Sequence, residues 1–378
     1  MSRVSAGVRL AAPMALVAAS GLLLAGCGVT ESTKAKAGSN GVTISVTDDG
    51  CLPSPNSAKA GPLTFTVKNK NSSHVSEAEL MQNGLILGEK ENLTPGLSGS
   101  FSLRLQPGEY VVNCPNAKND QATFTVTGKS SDTGTADESA QTAVDAYDKY
   151  VNNQAKTLVA RVAPFVAAVK AGDIVKAKSL YAPARTYYEM IEPVAESFGD
   201  LDPEIDARVN DVANPKQWTG FHRIEKALWQ DNSLAGMGPM ADKLSADISK
   251  LQKLTASAKF QPAQIANGSV GLLDEVAKSK ITGEEDRYSH TDLWDFDANV
   301  AGAREAFAVL QPVLQKKDPK LVSTINAQFG TVLKALEKYR QGGVYVNYST
   351  VGAADRRQLT TIVTALSESL SKVAGEIV

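Results

Sequence analysis

The residues best suited to hold a metal ion begin with a histidine and a glutamate three positions apart. The chain has only three histidines, namely His74, His222 and His290. His222 and Glu225 lie in a helical pattern that reads GFHRIEKALW, and residues three apart on a helix point to one side. Helical bundles present histidine and carboxylate ligands to a central metal at this spacing. The alternative is a core histidine hydrogen-bonded to a nearby glutamate, and HxxE alone leaves both interpretations open.

Acidic residues elsewhere favour the metal interpretation. Glu189 and Glu192 repeat the three-residue spacing on another predicted helix, and Asp206 lies near a helix start. His290 closes an acid-rich stretch just before a long helical pattern. Imidazole and carboxylate groups are borderline-to-hard ligands, which suit iron, zinc or manganese better than Cu(I). The alternative for each stretch is a solvated acidic loop or helix end.

A second group of candidate ligands lies in the β-rich part of the chain. Glu77 and Glu79 are two apart, so on a strand they face the same side. Cys51 and Cys114 either form a disulfide, as cysteine pairs usually do in an oxidising compartment, or ligate a metal as thiolates. A blue-copper site needs two histidines and a cysteine, and only His74 lies here. Cupredoxin-type electron transfer is therefore disfavoured.

The N-terminal segment is typical of a secretory signal. Arg3 and Arg9 precede an apolar run over residues 16–24, and the signal is predicted to end at residue 26. The sequence Leu-Ala-Gly-Cys that follows resembles the lipobox of bacterial lipoproteins, so Cys27 is predicted to carry lipid. A polar tether over residues 27–40 comes next. We therefore predict a lipid-anchored protein at the outer face of the cytoplasmic membrane, at the cell surface or in the periplasm.

Composition excludes several classes of protein. The chain has 378 residues, of which 43% are apolar, so it is long enough for two or three folded domains. Its net charge is −2, whereas a nucleic-acid binder needs a basic field, and no nucleic-acid partner is predicted. No run of about 18 apolar residues follows the signal, which excludes a polytopic membrane protein.

Two domains with different secondary-structure patterns must position these ligands. Residues 41–127 contain short alternating segments at 42–46, 63–67, 101–105 and 122–126, separated by turn residues. This pattern predicts a small antiparallel β-sandwich. A polar linker follows over residues 128–137.

Residues 138–378 have the three-to-four periodicity of amphipathic helices and are predicted to form a helical bundle. The prolines at 164, 183 and 193 fall inside helical patterns and are expected to kink or interrupt them. The predicted helices span residues 138–171, 173–198, 215–231, 239–257, 261–280, 292–316, 318–341 and 354–377.

Several motifs together resemble the EfeO family, the extracytoplasmic components of EfeUOB-type bacterial iron-uptake systems. In the helical part these are GFHRIE at 220–225 and EDRYSHTDLWDF at 285–296. In the β part they are CLP at 51–53, EAE at 77–79, ENLTPG at 91–96 and LQPGEY at 105–110. The resemblance implies an N-terminal cupredoxin-like β-sandwich followed by an imelysin-type helical bundle.

The resemblance also implies a function. It makes the chain an iron-binding component that passes iron to a membrane permease, with a peroxidase-like component as further partner. His222 and Glu225 are then the strongest iron ligands, and the secondary candidates are Glu189, Glu192, Asp206 and His290. It further implies a second site, for copper or zinc, formed by Cys51, Glu77, Glu79 and Cys114.

Two other functions compete with iron binding. The first is an enzyme, because imelysin-type domains have been labelled metallopeptidases. The chain lacks the HExxH motif that supplies two zinc ligands and a general base, so a peptidase is disfavoured. A second enzymatic alternative is a ferroxidase that uses copper bound in the β-rich part of the chain. The second is an adhesin for acidic polymers, which needs a basic groove, whereas the basic residues of the helical part are dispersed. We predict a binding protein rather than an enzyme.

Overall fold

The computed structural model describes residues 40–129, 138–199, 201–212 and 214–377. Residues 39–378 form one compact unit. The predicted signal, the lipidation at Cys27, and nearly all of the predicted tether and linker lie outside the described residues. Among the described helices, none has both the length and the apolar character needed to cross a membrane.

The N-terminal part of the described chain, residues 40–127, is here called the β domain. It contains nine strands in two sheets. The strands are β1 (Asn40–Thr47), β2 (Gly50–Ser54), β3 (Ser57–Lys59), β4 (Gly61–Asn69), β5 (Ala78–Gln82), β6 (Leu85–Lys90), β7 (Ser98–Leu105), β8 (Gly108–Asn113) and β9 (Gln121–Thr127). The first sheet has the order β2-β1-β4-β7 and the second β3-β9-β8-β5-β6. All four predicted strands are present, inside β1, β4, β7 and β9.

The prediction of a purely antiparallel sandwich is wrong. β1 pairs in parallel with β4, and β3 pairs in parallel with β9, while the other pairs are antiparallel. Alternating hydrophobicity reports which face of a strand is buried, but it carries no information about which strand lies beside it. In β4 alternate residues are buried, and Phe65 stacks on Phe101 with ring centroids 5.2 Å apart.

Two strands of the second sheet, β5 and β6, lack an alternating pattern and are not among the predicted elements. In β5, Ala78, Glu79 and Leu80 are buried in succession, because one face lies on the β core and the other is covered. β6 is covered by the helices, since Ile86 donates a backbone hydrogen bond to the carbonyl of Ser197 at 3.2 Å. Strands covered on both faces lose the period of two that identifies a half-exposed strand.

The helical domain follows, with eleven helices in the described residues. They are α1 (Glu138–Lys170), α2 (Ile174–Glu189), α3 (Glu192–Glu196), α4 (Leu201–Asp206), α5 (Gly220–Trp229), α6 (Gly238–Thr255), α7 (Pro262–Lys278), α8 (Asp292–Lys317), α9 (Pro319–Glu337), α10 (Ala353–Leu370) and α11 (Val373–Ile377). A two-strand hairpin, β10 (Arg340–Gln341) and β11 (Val344–Tyr345), follows α9.

Most predicted helices are present, with four differences. The predicted helix 318–341 ends at Glu337, and Arg340–Gln341 form strand β10 instead. The predicted helix 173–198 is divided between α2 and α3 just before Pro193, whereas α1 and α2 continue through Pro164 and Pro183. The predicted helix 215–231 begins only at Gly220. The predicted helix 354–377 is divided between α10 and α11.

The two domains pack directly on each other. The side-chain amide of Asn267 on α7 donates to the carbonyl of Ser102 on β7 at 2.9 Å, and Lys90 on β6 forms an ion pair with Asp274 on α7. β6 and the loop that follows it therefore face the helices. The acidic residues near β5 and β6 are thereby placed beside the helical domain.

Candidate metal centre

Helix α5 carries the HxxE pair into the interior of the helical domain. Its apolar residues Phe221, Ile224 and Leu228 are fully buried. Their burial places the side of the helix that bears His222 in the interior of the domain. His222 is 1% exposed and Glu225 0% exposed. The geometry therefore agrees with the sequence prediction that both point to one buried side.

Gly220 sets the start of α5. Its φ is +85°, and a Cβ at this position would overlap the backbone carbonyl of Ile205 at the end of α4. Only glycine allows α4, which ends at Asp206, to lie this close to the helix that carries His222. This contact holds Asp206 beside His222.

Gly220→Ala is therefore expected to destabilise the protein by at least about 2 kcal/mol and to weaken metal binding, because the new methyl group must push α4 and α5 apart. Urea unfolding and metal titration measure both effects. Gly236→Ala is the matched control, since Gly236 also has a positive φ, +78°, but open space around it. Its free energy of unfolding is expected to fall by only about 1 kcal/mol, which is the cost of placing alanine at a positive φ. Equal losses in the two variants would contradict the close-contact argument.

His222 has one bonded nitrogen and one without a partner. Nδ1 lies 3.1 Å from Glu225 Oε2 and 3.4 Å from the Tyr181 hydroxyl. Nε2 is buried and, among the described residues, none hydrogen-bonds it. It faces Glu285 Oε1 at 3.4 Å and Asp206 Oδ1 at 3.7 Å. A buried imidazole nitrogen facing two carboxylate oxygens has the donor set of a metal site.

Glu225 orients the imidazole. One of its oxygens contacts His222 Nδ1, and the other accepts the backbone N–H groups of Tyr288 at 2.9 Å and Ser289 at 2.7 Å. Histidines that bind metals commonly direct their second nitrogen to a carboxylate in this way. In this geometry Glu225 supports the ring while Nε2 is the nitrogen available to a metal. Glu225 also lies within ligand distance of His222 and Asp286, so a ligand role for it remains compatible with the structure.

A large excess of buried carboxylates surrounds His222. Eight carboxyl side chains in the described part of this region are buried: Glu189, Glu192, Asp206, Glu225, Glu285, Asp286, Asp292 and Asp295. Two buried cations, Arg185 and Lys280, lie among them with no exposed surface. Because isolated charges are costly in the interior, the remaining negative charge must be balanced by protons or by a bound cation.

The pKa values divide this cluster into two groups. Burial raises the pKa of Asp286 to about 6 and that of Asp292 to about 8, with repulsion from neighbouring carboxylates adding to it. Burial also acts on Asp206 and Glu285, but nearby cations outweigh it, chiefly Arg185 for Asp206 and Lys280 for Glu285, so both pKa values are lowered. The two carboxylates that face Nε2 therefore stay ionised, as metal ligands must.

The secondary candidates have different surroundings. Asp206 lies in one group of possible ligand atoms with His222 and Glu285, and its role as a metal ligand stays a prediction. Glu189 and Glu192 instead hold the ammonium of Lys280 at 2.7 and 2.8 Å, and they approach Asp206 rather than His222. His290 belongs to no group of three or more ligand atoms among the described residues. It lies in the turn before α8, where its φ is +56°.

The sequence reasoning did not select Glu285, Asp286 and Asp295 as ligands. Glu285 and Asp286 lie in the acid-rich stretch before α8, from which only His290 is predicted as a ligand. The sequence reasoning did not foresee Arg185, whose guanidinium contacts Glu189, Asp206, Glu285 and Asp295. Its i, i+4 spacing to Glu189 on α2 was the only local signal.

The raised pKa values predict how stability depends on pH. In the metal-free chain Asp286 and Asp292 hold protons that the unfolded chain has lost above about pH 4. Stability therefore falls as pH rises from about 5 to 8, by about 5 kcal/mol. Asp206 and Glu285 do not offset this loss, because their lowered pKa values affect stability only below about pH 4. Urea unfolding with a chelator at pH 5.5 and pH 8 tests the prediction, and greater stability at pH 8 would contradict it.

The four residues predicted as a second site do not come together. Cys51 on β2 and Cys114 after β8 form a disulfide with Cα atoms 6.1 Å apart. Glu79 accepts a hydrogen bond from the side-chain amide of Asn113 at 2.8 Å. In the described part of the chain, no group of three ligand atoms within 4.8 Å of one another includes either cysteine, Glu77 or Glu79. Of the two alternatives for the cysteines, the structure has the disulfide.

The disulfide closes a long loop and is expected to be structural. Cys51→Ser/Cys114→Ser should lower the stability of the β domain by about 4 kcal/mol, because the bond spans 63 residues of the unfolded chain. Iron binding in the helical domain should remain unchanged. Thermal unfolding, iron titration and a thiol count on the denatured chain measure these outcomes. Two free thiols in the native sequence, or copper binding lost in the variant, would show that the cysteines are ligands instead.

Comparison with known proteins agrees with this architecture. The imelysin family model matches residues 143–373, and the cupredoxin-like domain model matches residues 17–126. The chain is 43% identical over 341 residues to the iron uptake system component EfeO of Escherichia coli K12, covering 88% of this chain and 90% of that protein. The chain belongs to the EfeO family. The EfeO proteins of Escherichia coli O157:H7 and Shigella flexneri match with the same identity and coverage. The predicted resemblance and two-domain fold class are thereby confirmed.

Proposed function

We propose that this member of the EfeO family is the extracytoplasmic iron-binding component of an EfeUOB-type uptake system. It captures iron between His222, Asp206 and Glu285 in the helical domain and delivers it to a membrane permease. The observation that carries the proposal is the buried Nε2 of His222, which has no hydrogen-bond partner in the described part of the chain and faces two carboxylates whose pKa values are lowered. Its relatives are named iron uptake components, which is consistent with iron as the cargo.

The ligand chemistry supports iron over softer metals. One imidazole and several carboxylates suit Fe(II) or Fe(III), whereas Cu(I) prefers thiolates, and the two described cysteines are joined to each other. The excess of buried carboxyl groups supplies negative charge that a di- or trivalent cation neutralises. Since several of these groups are protonated without metal, iron must displace protons, and its affinity should fall as pH drops.

A role in binding is better supported than a role in catalysis. The imelysin family model also bears a peptidase designation. His222 and Glu225 form HxxE, and this motif lacks the second histidine of the HExxH helix that holds catalytic zinc. A copper-dependent ferroxidase needs ligands in the β domain that the disulfide does not supply. The absence of an enzymatic activity stays a prediction.

The location and partners follow from the same proposal. A lipid on Cys27 would keep the chain at the outer face of the cytoplasmic membrane, where a permease can receive iron. The permease and a peroxidase-like component of the same system are its proposed partners. Labelling with a radioactive fatty acid tests the anchor, since Cys27→Ala should abolish incorporation.

Metal titration tests the function itself. The purified chain is titrated with Fe(II) under anaerobic conditions and with Fe(III) as a citrate chelate, with Zn(II), Cu(II) and Mg(II) as comparisons. We expect one tightly bound iron per chain and an affinity well above that for Mg(II). Iron binding no tighter than Mg(II) would overturn the proposal, and His222 and Glu225 would then be a hydrogen-bonded core pair.

A further inference from the structure

An acidic cleft opens between the β domain and the helical domain. Its volume is about 620 Å³. Nine carboxylate side chains are among the described residues that line it, against one basic side chain, Arg208. Glu77 and Glu91 come from the β domain, and the other seven carboxylates come from the helical domain. Such a cleft concentrates cations, because low-dielectric walls focus the field of like charges.

The inner wall of the cleft is the metal centre. Asp206 and Glu285 both line the cleft, and they are the two carboxylates that face Nε2 of His222, at 3.7 and 3.4 Å. This nitrogen is buried and without a hydrogen-bond partner among the described residues, although both carboxylates that it faces line the cleft. The cleft therefore reaches the two carboxylates that face this nitrogen.

An ion pair separates the cleft from the histidine. Arg208 Nη1 lies 3.1 Å from Glu285 Oε2, while Oε1 of the same carboxylate faces His222 Nε2. Arg208 and Glu285 line both the cleft and the small crevice that reaches His222 and Glu225. Arg208 is one-quarter exposed and also bonds Asp211 at 2.9 Å, so its side chain has a second partner available at the cleft surface. A cation at Glu285 would repel the guanidinium towards that partner.

We propose that this cleft is the path by which a hydrated iron cation reaches His222, with Glu77 and Glu91 of the β domain as outer contacts and the Arg208–Glu285 ion pair as the inner barrier. The inference rests on the proposed function. It gives the β domain a role in loading, since one wall of the path belongs to it. Carboxylates along the path attract the cation and replace part of its water shell before it meets the final ligands.

Tryptophan fluorescence reports arrival at the site. The ring of Trp229 lies 5.3 Å from that of Tyr181, whose hydroxyl contacts His222 Nδ1 at 3.4 Å. Iron bound at His222 should therefore quench Trp229. Stopped-flow mixing with anaerobic Fe(II) at low salt gives the association rate constant, and equilibrium titration of the same chain gives the affinity.

The decisive variant is Glu77→Gln/Glu91→Gln. Burial raises the pKa of Glu77 to about 7 and that of Glu91 to about 8, so the measurement is made at pH 8.5, where both are largely ionised. We expect the association rate constant of the variant to fall about fivefold at low salt, with the affinity within about twofold of the native chain, because the path changes and the final ligands do not. The difference should shrink in about 0.5 M salt. The matched control is Glu109→Gln/Asp120→Asn, which removes two exposed charges of the β domain that do not line the cleft, and its rate should equal that of the native chain.

A second variant tests the barrier. Arg208→Gln should accelerate iron association severalfold, because the carboxylate of Glu285 is then uncovered. The path would be overturned if Glu77→Gln/Glu91→Gln and Arg208→Gln both showed the quenching kinetics of the native chain. If quenching were still lost in His222→Ala, the proposed function would remain intact. Equal slowing in the cleft and control variants would also overturn it, because general charge would then explain the rate. Absence of iron binding in the native chain would overturn both proposals.

Discussion

Replacing His222 with alanine is expected to lower iron affinity by about 100-fold or more. The substitution removes the one imidazole of the proposed ligand set and leaves Asp206 and Glu285 facing a void. Loss of a group that merely orients a ligand costs about 10–100-fold in metal affinity, so loss of the ligand itself should cost at least as much. Competition titration against a chelator of known affinity measures the change.

The control for this prediction is the other histidine of the helical domain. His290 has a φ of +56° and lies in no ligand group among the described residues. His290→Asn suits the left-handed conformation, because asparagine tolerates it better than alanine does. Native iron affinity is expected in this variant. If His222→Ala bound iron normally, or if His290→Asn lost it, the assignment of the ligands would be wrong.

Replacing Arg185 with methionine is expected to destabilise the metal-free chain by about 3–5 kcal/mol. The guanidinium has no exposed surface and is surrounded by carboxylates from α2, α4, α8 and the segment before α8. Removing one partner of a buried ion pair leaves the other charge without compensation, which accounts for this magnitude. Urea unfolding in the presence of a chelator measures the loss.

Iron should restore part of the lost stability, because a bound cation also balances these carboxylates and binds only the folded chain. Arg304→Met is the control, since Arg304 is exposed on α8, and its effect should stay within about 0.5 kcal/mol. A loss in Arg185→Met no larger than in Arg304→Met would mean that the cluster is protonated enough to need no internal cation. The buried arginine would then have no part in holding Asp206 and Glu285 near His222.

Local sequence was sufficient for the features that depend on neighbouring residues. The i, i+3 spacing of His222 and Glu225 and the apolar residues around them place both on one buried side of α5, as the structure confirms. Alternating segments located β1, β4, β7 and β9, and helical periodicity located most helices. The motifs spread over both halves of the chain were specific enough to identify the family. These signals are local because side-chain direction follows from the backbone period alone.

Only the tertiary structure decided which residues share the metal centre. Asp206 and Glu285 are 79 positions apart in the sequence, and both meet His222 because α4 packs on α5 at Gly220 and the segment before α8 covers them. The internal cation Lys280 holds Glu189 and Glu192, which are 91 and 88 positions away in the sequence. The parallel strand pairs, the acidic cleft and the choice of a disulfide for Cys51 and Cys114 are likewise contacts between distant segments. Such contacts depend on the packing of whole elements, and no periodicity along the chain encodes them.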